Sequence, residues 1–185
     1  GKSSYNNYVY SREPTWGWGH AGQVFHESLS MLAYVSLDAQ SALNSQRVYM
    51  ERQWQNGYIE YRAGPYLDAM NFTRGSFTSS APWYSYENWK LYQATGNRTF
   101  LRDAYESGTA FYTWWLNNRD QDDDGLAEWG GHAVLESVRD ANVALWHDVG
   151  WPSNFEAPEL NSMLVKEAEA LAKMAAALGD STGAR

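Results

Sequence analysis

Two pairs of helix-period segments, each joined by only one or two residues, constrain this chain of 185 residues more than any other feature. From 22 to about 37, Val24, Phe25, Leu29, Leu32, Ala33 and Val35 recur at helical spacing. Asp38 is a good N-cap for a second helix over about 39–53, with Ala42, Leu43, Tyr49 and Met50 facing inward. The pattern then returns. Pro82 takes a favoured first-turn position, a third helix runs over about 83–95, and Gly96 stops it. Asn97 caps a fourth helix over about 98–118, with Phe100, Leu101, Ala104, Tyr105, Phe111, Tyr112, Trp115 and Leu116 inward. A last helix is expected over about 159–178. Leu160, Met163, Leu164, Ala168, Leu171, Met174, Ala175 and Leu178 share one face, and Lys166, Glu167, Glu169 and Lys173 lie mostly opposite. Gly179 ends it, and 180–185 read as a frayed tail. The length suits one domain, and the pattern predicts an all-α fold built of helical hairpins.

The segments between the hairpins are rich in Gly, Pro and aromatic residues. Pro14, Gly17 and Gly19 interrupt any regular element over 11–21 and leave a loop that displays Trp16, Trp18 and His20. Asn56-Gly57 signals a turn before a possible short strand over 58–61, and 62–81 read as a long loop of the kind that is usually functional. A further Gly/Pro/aromatic loop spans 149–158. One motif repeats: Asx-Gly-apolar-apolar-Glu-aromatic occurs at 56–61 and again at 124–129, each time after a helix. Recurring loops behind recurring hairpins suggest an array in which each unit buries its face against the next.

Composition narrows the partners. A net charge of −8 with fourteen scattered Lys and Arg argues against nucleic acid. No apolar run is long enough to span a membrane, and with no Cys the redox compartment stays open. The chain carries ten Trp and thirteen Tyr, many beside Gly, Pro or Asn. Flat rings with a polar edge suit sugars, and a large aromatic core is the competing explanation.

Two acidic groups could carry chemistry. Asp120-x-Asp122-x-Asp124-Gly125 matches the first half of a calcium loop, in which alternate side chains converge on one point. The twelfth position is Gly131, so a closing ligand must come from elsewhere, with Glu128 the nearest candidate. The alternative is a solvated acidic turn. Glu136 and Asp140 are spaced i, i+4 beside Arg139, which puts both carboxyls on one side of a helical turn. A carboxyl in an apolar, aromatic setting has a raised pKa and can act as a general acid, although such a pair more often marks a wet face. The His spacings do not suit zinc, and no Walker, dinucleotide or Gly-x-Ser-x-Gly motif is present, so no organic cofactor is expected.

Several of these residues occur together in a known family. Trp16-Gly-Trp-Gly-His20, Ser80-Ala-Pro-Trp83, Asn118-Arg-Asp-x-Asp-x-Asp-Gly-Leu-x-Glu128, Leu135-Glu-Ser-x-x-Asp140 and Glu159-Leu-Asn-Ser-Met-Leu-Val-Lys-Glu167 resemble the catalytic domain of glycoside hydrolase family 63 and its mannosylglycerate-hydrolase-like relatives. The resemblance implies an (α/α)6 toroid, inversion at the anomeric carbon, and α-linked glucosides or related oligosaccharides as substrates. It implies Asp140 as general acid and Asp120, Asp122 and Asp124 as calcium-loop positions. Trp16, Trp18, His20, Trp83, Glu136, Arg139 and Trp151 would then contact the sugar. The sequence departs from the family at Asp140-Ala-Asn-Val and Trp18-Gly19, positions that bear on sugar specificity.

A toroid of this kind needs twelve helices and two catalytic carboxyls, roughly 6.5–9.5 Å apart in an inverting enzyme. The five expected helices and the missing base predict a partial toroid, completed by a remaining segment or a partner chain. Two other functions fit the same residues less fully. One is a non-catalytic carbohydrate-binding hairpin protein. The other is a polysaccharide lyase on a similar toroid, which the negative charge disfavours because uronates need Arg or Lys.

Overall fold

The computed structural model describes residues 22–59, 62–63, 81–129 and 156–183. Helices dominate them: α1 (Val24–Tyr34), α2 (Ala39–Arg52), α3 (Tyr84–Thr95), α4 (Arg98–Asn118) and α5 (Pro158–Leu178). A two-residue strand β1 (Gly22–Gln23) pairs antiparallel with β2 (Arg62–Ala63), with Gly22 opposite Ala63 and Gln23 opposite Arg62. Of the strand expected over 58–61, Tyr58 and Ile59 lie in no strand, the Tyr58 amide donating to Asn56 Oδ1 at 3.1 Å in a turn, and 60 and 61 fall outside the described residues. None of the described helices is long and apolar enough to cross a membrane.

Local chemistry sets the helix ends. Asp38 Oδ1 accepts from the Ser41 amide at 3.0 Å and Asn97 Oδ1 from the Phe100 amide at 2.9 Å, each capping a helix as its sequence predicts. Gly96 and Gly179 terminate α3 and α5 in left-handed conformations. Helix α3 starts one residue later than expected, with Trp83 as N-cap, so Pro82 precedes the cap instead of opening the first turn. Asp180, where the tail was expected, accepts from the Tyr105 hydroxyl at 3.1 Å and from the Thr182 and Gly183 amides.

Two apolar clusters show which way the helices run. The first joins Val24, Tyr84, Leu160 and Leu164, from the starts of α1, α3 and α5, to Tyr49 near the end of α2 and Phe111, Trp114 and Trp115 near the end of α4. The second joins Met31, Leu91, Leu171 and Met174, further along the odd-numbered helices, to Ala42, Leu43, Phe100 and Leu101 near the starts of α2 and α4. Helices α1, α3 and α5 therefore run in one direction and α2 and α4 in the other. Helix α3 packs against α1 and α5, while α4 packs against α2, α3 and α5. The odd helices form one layer and the even helices back it.

Three inward assignments need correction, among them Ala33, which is exposed. Leu29 and Leu116 are about half exposed, and Ser28 and Trp114 occupy the buried positions instead. In α1 the buried stripe is Val24, Ser28 and Met31, and the Ser28 hydroxyl donates to Gln46 Oε1 of α2 at 2.8 Å, which satisfies it inside the core. In α4 the stripe runs Phe100, Ala104, Ser107, Phe111, Trp114 and Trp115, leaving Leu116 on the shoulder. One outward assignment also fails: Glu167 is fully buried rather than on the polar face of α5.

The sequence repeat is also a structural one. Asp124 Oδ1 accepts from the Leu126 amide at 2.8 Å, the same side-chain turn that Asn56 makes with Tyr58. Gly57 and Gly125 follow with φ of 92° and 90°. Gly57 carries a second constraint, because a Cβ there would lie 2.1 Å from the Ala110 carbonyl oxygen of α4. Each hairpin thus ends in one motif, and each motif sends its next residues into the core: Tyr58 and Ile59 from the first, Ala127 and Trp129 from the second.

Candidate active site

Both long connections between the described helices leave and return at the end of the bundle where α3 and α5 begin and α2 and α4 finish. The turns at the other end are short, with four residues between α1 and α2 and two between α3 and α4. Trp83 and the acidic loop lie on the long connections. Trp16, Trp18, His20, Glu136, Arg139, Asp140 and Trp151 fall outside the described residues, and the described chain that brackets 130–155 ends at Trp129 and resumes at Glu156.

A rigid aromatic floor underlies this end. Trp115 and Trp129 are fully buried with ring centroids 6.0 Å apart and planes at 78°. Tyr58 packs on Trp114 at 4.9 Å, and Phe111 meets Trp115 edge-on at 6.2 Å. Much of the aromatic content is therefore core. Trp83 is different: it is partly buried, with its ring 4.8 Å from that of Tyr86.

The acidic loop folds back on itself. Asp120 accepts from the amides of Asp124 and Gly125, both at 3.1 Å, and Asp123 takes a left-handed φ of 58°. One carboxylate oxygen from each of Asp120, Asp122 and Asp124 lies within 4.8 Å of the others. Asp122 also belongs to a second group on the same criterion, with Glu128 and Glu156. Glu128 is thus close to the loop, as expected, but its neighbours are Asp122 and the unforeseen Glu156.

Glu128 is buried and accepts from the Gln121 amide, while its own amide donates to the Arg119 carbonyl at 2.6 Å. Burial raises its pKa, and Asp122 and Asp120 add to the rise; Glu156 is raised chiefly by Asp124. Five carboxylates crowded in this way repel one another, and a cation among them would relieve the repulsion. The far side of the loop is pinned by Asn161 in the second turn of α5, whose side chain accepts from the Ala127 amide at 2.8 Å and donates to the Ala127 carbonyl at 3.1 Å.

The first turn of α3 is held from a distance. Glu167, in the middle of α5, accepts from the Ser85 amide at 2.8 Å and the Tyr86 amide at 2.9 Å. Burial pushes its pKa up to about 7, held back by the Ser85 and Tyr86 donors. Glu87 is buried close by with neither carboxyl oxygen hydrogen-bonded, and burial, followed by the charge of Glu167, raises its pKa well above the ordinary range. Sequence reasoning missed Glu87, Asn161 and Glu167 as site supports. The spacing did hold a sign of Glu167, because it falls on the line Leu160, Leu164, Glu167, Leu171, Met174 that α5 buries.

The sequence profile of the mannosylglycerate hydrolase MGH1-like glycoside hydrolase domain matches residues 15–185. The chain belongs to that family. It is a glycoside hydrolase domain, in agreement with the resemblance drawn from its motifs. No curated protein matches the chain. Among solved structures, the domain is similar to that of an uncharacterized conserved protein from Thermus thermophilus, with a TM-score of 0.67 and 15% sequence identity. The likeness covers 95% of this chain and 55% of that one, so the glycoside hydrolase domain seen here spans about half the length of that protein. At this identity the likeness speaks for the fold alone.

Proposed function

We propose that this domain is the acid-bearing part of an inverting glycoside hydrolase that acts on α-linked glucosides or related oligosaccharides. The observation that carries the proposal is topological. Parallel helices α1, α3 and α5, backed by antiparallel α2 and α4, bring both long connections between them to one end of the bundle. In sequence, Trp83, the acidic loop, Glu136, Arg139, Asp140 and Trp151 belong to those connections, and Trp16, Trp18 and His20 precede β1. Such a layered run of hairpins supports a partial (α/α)6 toroid, and the Thermus relative, about half of which is matched, supports further chain completing the ring.

In this reading Asp140 protonates the leaving oxygen. Trp16, Trp18, His20, Trp83, Glu136, Arg139 and Trp151 bind the saccharide around it. The base that activates water comes from the remaining toroid segment or a partner chain, on the opposite face of the sugar. Inversion is tested by proton NMR of the first product released from an α-glucoside by the complete protein. Mannosylglycerate, which the family's name suggests, serves as a parallel substrate. β-Glucose is expected first. An α-anomer would refute the inverting mechanism, and binding without any hydrolysis would point to the non-catalytic alternative.

The acidic loop is proposed to hold calcium. Ligands at about 2.3–2.6 Å on opposite sides of a calcium ion stand roughly 4.6–5.2 Å apart. The Asp120, Asp122 and Asp124 oxygens, within 4.8 Å of one another, can share one such ion. Adding calcium to chelator-treated protein is expected to raise Tm by about 2–8 °C at saturation. Asp122→Asn should remove that response, because Asp122 belongs to both carboxylate groups. If Tm does not move with calcium, the loop is a solvated acidic turn.

A further inference from the structure

Helix α3 starts without a cap of its own. Its N-cap residue is Trp83, whose side chain makes no capping bond. A Ser, Thr, Asp or Asn at that position would satisfy one of the free amides of the first turn. The Ser85 and Tyr86 amides are instead bonded by Glu167, a residue 82 and 81 positions later in the sequence, at 2.8 and 2.9 Å. This solution places an ionisable side chain in the interior, fully buried beside a second buried carboxyl, Glu87. A local Asp would cap the turn from the helix end, with no carboxylate drawn into the core. What the remote cap leaves free is position 83, and an indole occupies it.

The core side of this turn is anchored by Tyr84, which is fully buried with its hydroxyl 3.2 Å from Ser107 Oγ. The Trp83 carbonyl accepts from the Glu87 amide at 3.2 Å, and the Trp83 amide donates to the Ala81 carbonyl at 2.9 Å. Tyr86, whose amide Glu167 binds, is also the ring against which Trp83 rests at 4.8 Å. The carboxyl of Glu167 therefore fixes the backbone of Ser85 and Tyr86, and with it the ring against which Trp83 rests. We propose that Glu167 is a positioning residue for saccharide binding: by capping α3 from a neighbouring helix, it holds Trp83 and Tyr86 in place at the end of the bundle where the sugar binds. The inference rests on the reading of Trp83 as part of a sugar subsite.

The test is a double-mutant cycle in the complete protein, with KM and kcat measured on 4-nitrophenyl α-D-glucopyranoside. Gln at 167 has one carbonyl oxygen for two amides and sets its own NH2 against the second. Glu167→Gln is expected to raise KM about tenfold while kcat changes by less than about threefold, and to raise KM no further in a Trp83→Ala background. An equal rise in both backgrounds, or no rise in the first, would overturn the positioning role. A Trp83→Ala variant with unchanged KM would instead remove the subsite reading on which it rests. If thermal melting shows that Glu167→Gln does not fold, Glu167→Asp takes its place. It keeps the charge but shortens the reach, and the same loss of additivity with Trp83→Ala is expected, with additivity again counting against the role.

Discussion

The protein is expected to lose stability as pH rises from about 5.5 to about 8, by roughly 2 kcal/mol from Glu167 alone. An exposed glutamate in the unfolded chain titrates near 4.5, whereas burial moves Glu167 to about 7 in the folded protein. Between those values the folded state holds a proton that the unfolded state has released. The contribution of Glu167 is therefore greatest below pH 4.5 and falls until the pH passes about 7. Glu87, also raised by burial, acts in the same direction, as do Glu128 and Glu156 in the acidic loop. Asp38, Asp180 and Glu169 are lowered and act in the opposite direction. They lie at the surface, where solvent screens such effects.

Many domains weaken on mild acidification, so the sign is distinctive. Urea unfolding at several pH values measures it directly, and a midpoint that climbs from about pH 5.5 to about 8 would contradict the burial of the two carboxyls. Because a domain of this size is stable by only about 5–15 kcal/mol, a change of this order is easily read. Glu87→Gln removes one ionisable group from the core at nearly constant volume. It should flatten the pH dependence and leave the protein more stable than the wild type near pH 8.

The features legible in the sequence are those set by neighbouring residues. Asp38 and Asn97 cap helices through bonds to residues three positions on, and Gly96 and Gly179 stop them by adopting left-handed backbone. The repeated Asx-Gly turns were legible for the same reason, since each bond spans two residues. The remote partners were not. Glu167 reads as a surface charge until α3 supplies its two amides, and Asn161 shows no role until Ala127 arrives from across the bundle. Leu29 and Ser28 exchanged expected places because a Ser on a buried face becomes acceptable only when Gln46 of another helix accepts its proton.

At the candidate site the same division holds. Asp120, Asp122 and Asp124 converge because alternate residues of one tight loop must, and their spacing announced it. Glu156 joins Asp122 and Glu128 through the path of the chain into α5, for which no motif exists. The aromatic richness mixed two populations. Trp114, Trp115 and Trp129 are core, while Trp83 keeps a partly open face at the end where the long connections meet. Composition alone gives both populations the same weight, and only burial separates them.

The proposed catalysis turns on one proton. If Asp140 delivers it to the leaving oxygen, its value depends on how poor the leaving group is, because an alkoxide needs protonation and a fluoride ion needs almost none. Asp140→Asn keeps the size of the side chain and removes the acid. In the complete enzyme it is expected to lower kcat on an oligosaccharide by about 10²–10⁴-fold, the usual contribution of a positioned general acid. On the matching glycosyl fluoride the same variant should retain most of its activity, which also shows that folding and sugar binding survive. The comparison of these two substrates is the most direct measurement. A large loss on the oligosaccharide with a small loss on the fluoride is the predicted result, and unchanged turnover of the oligosaccharide would contradict the assignment of Asp140.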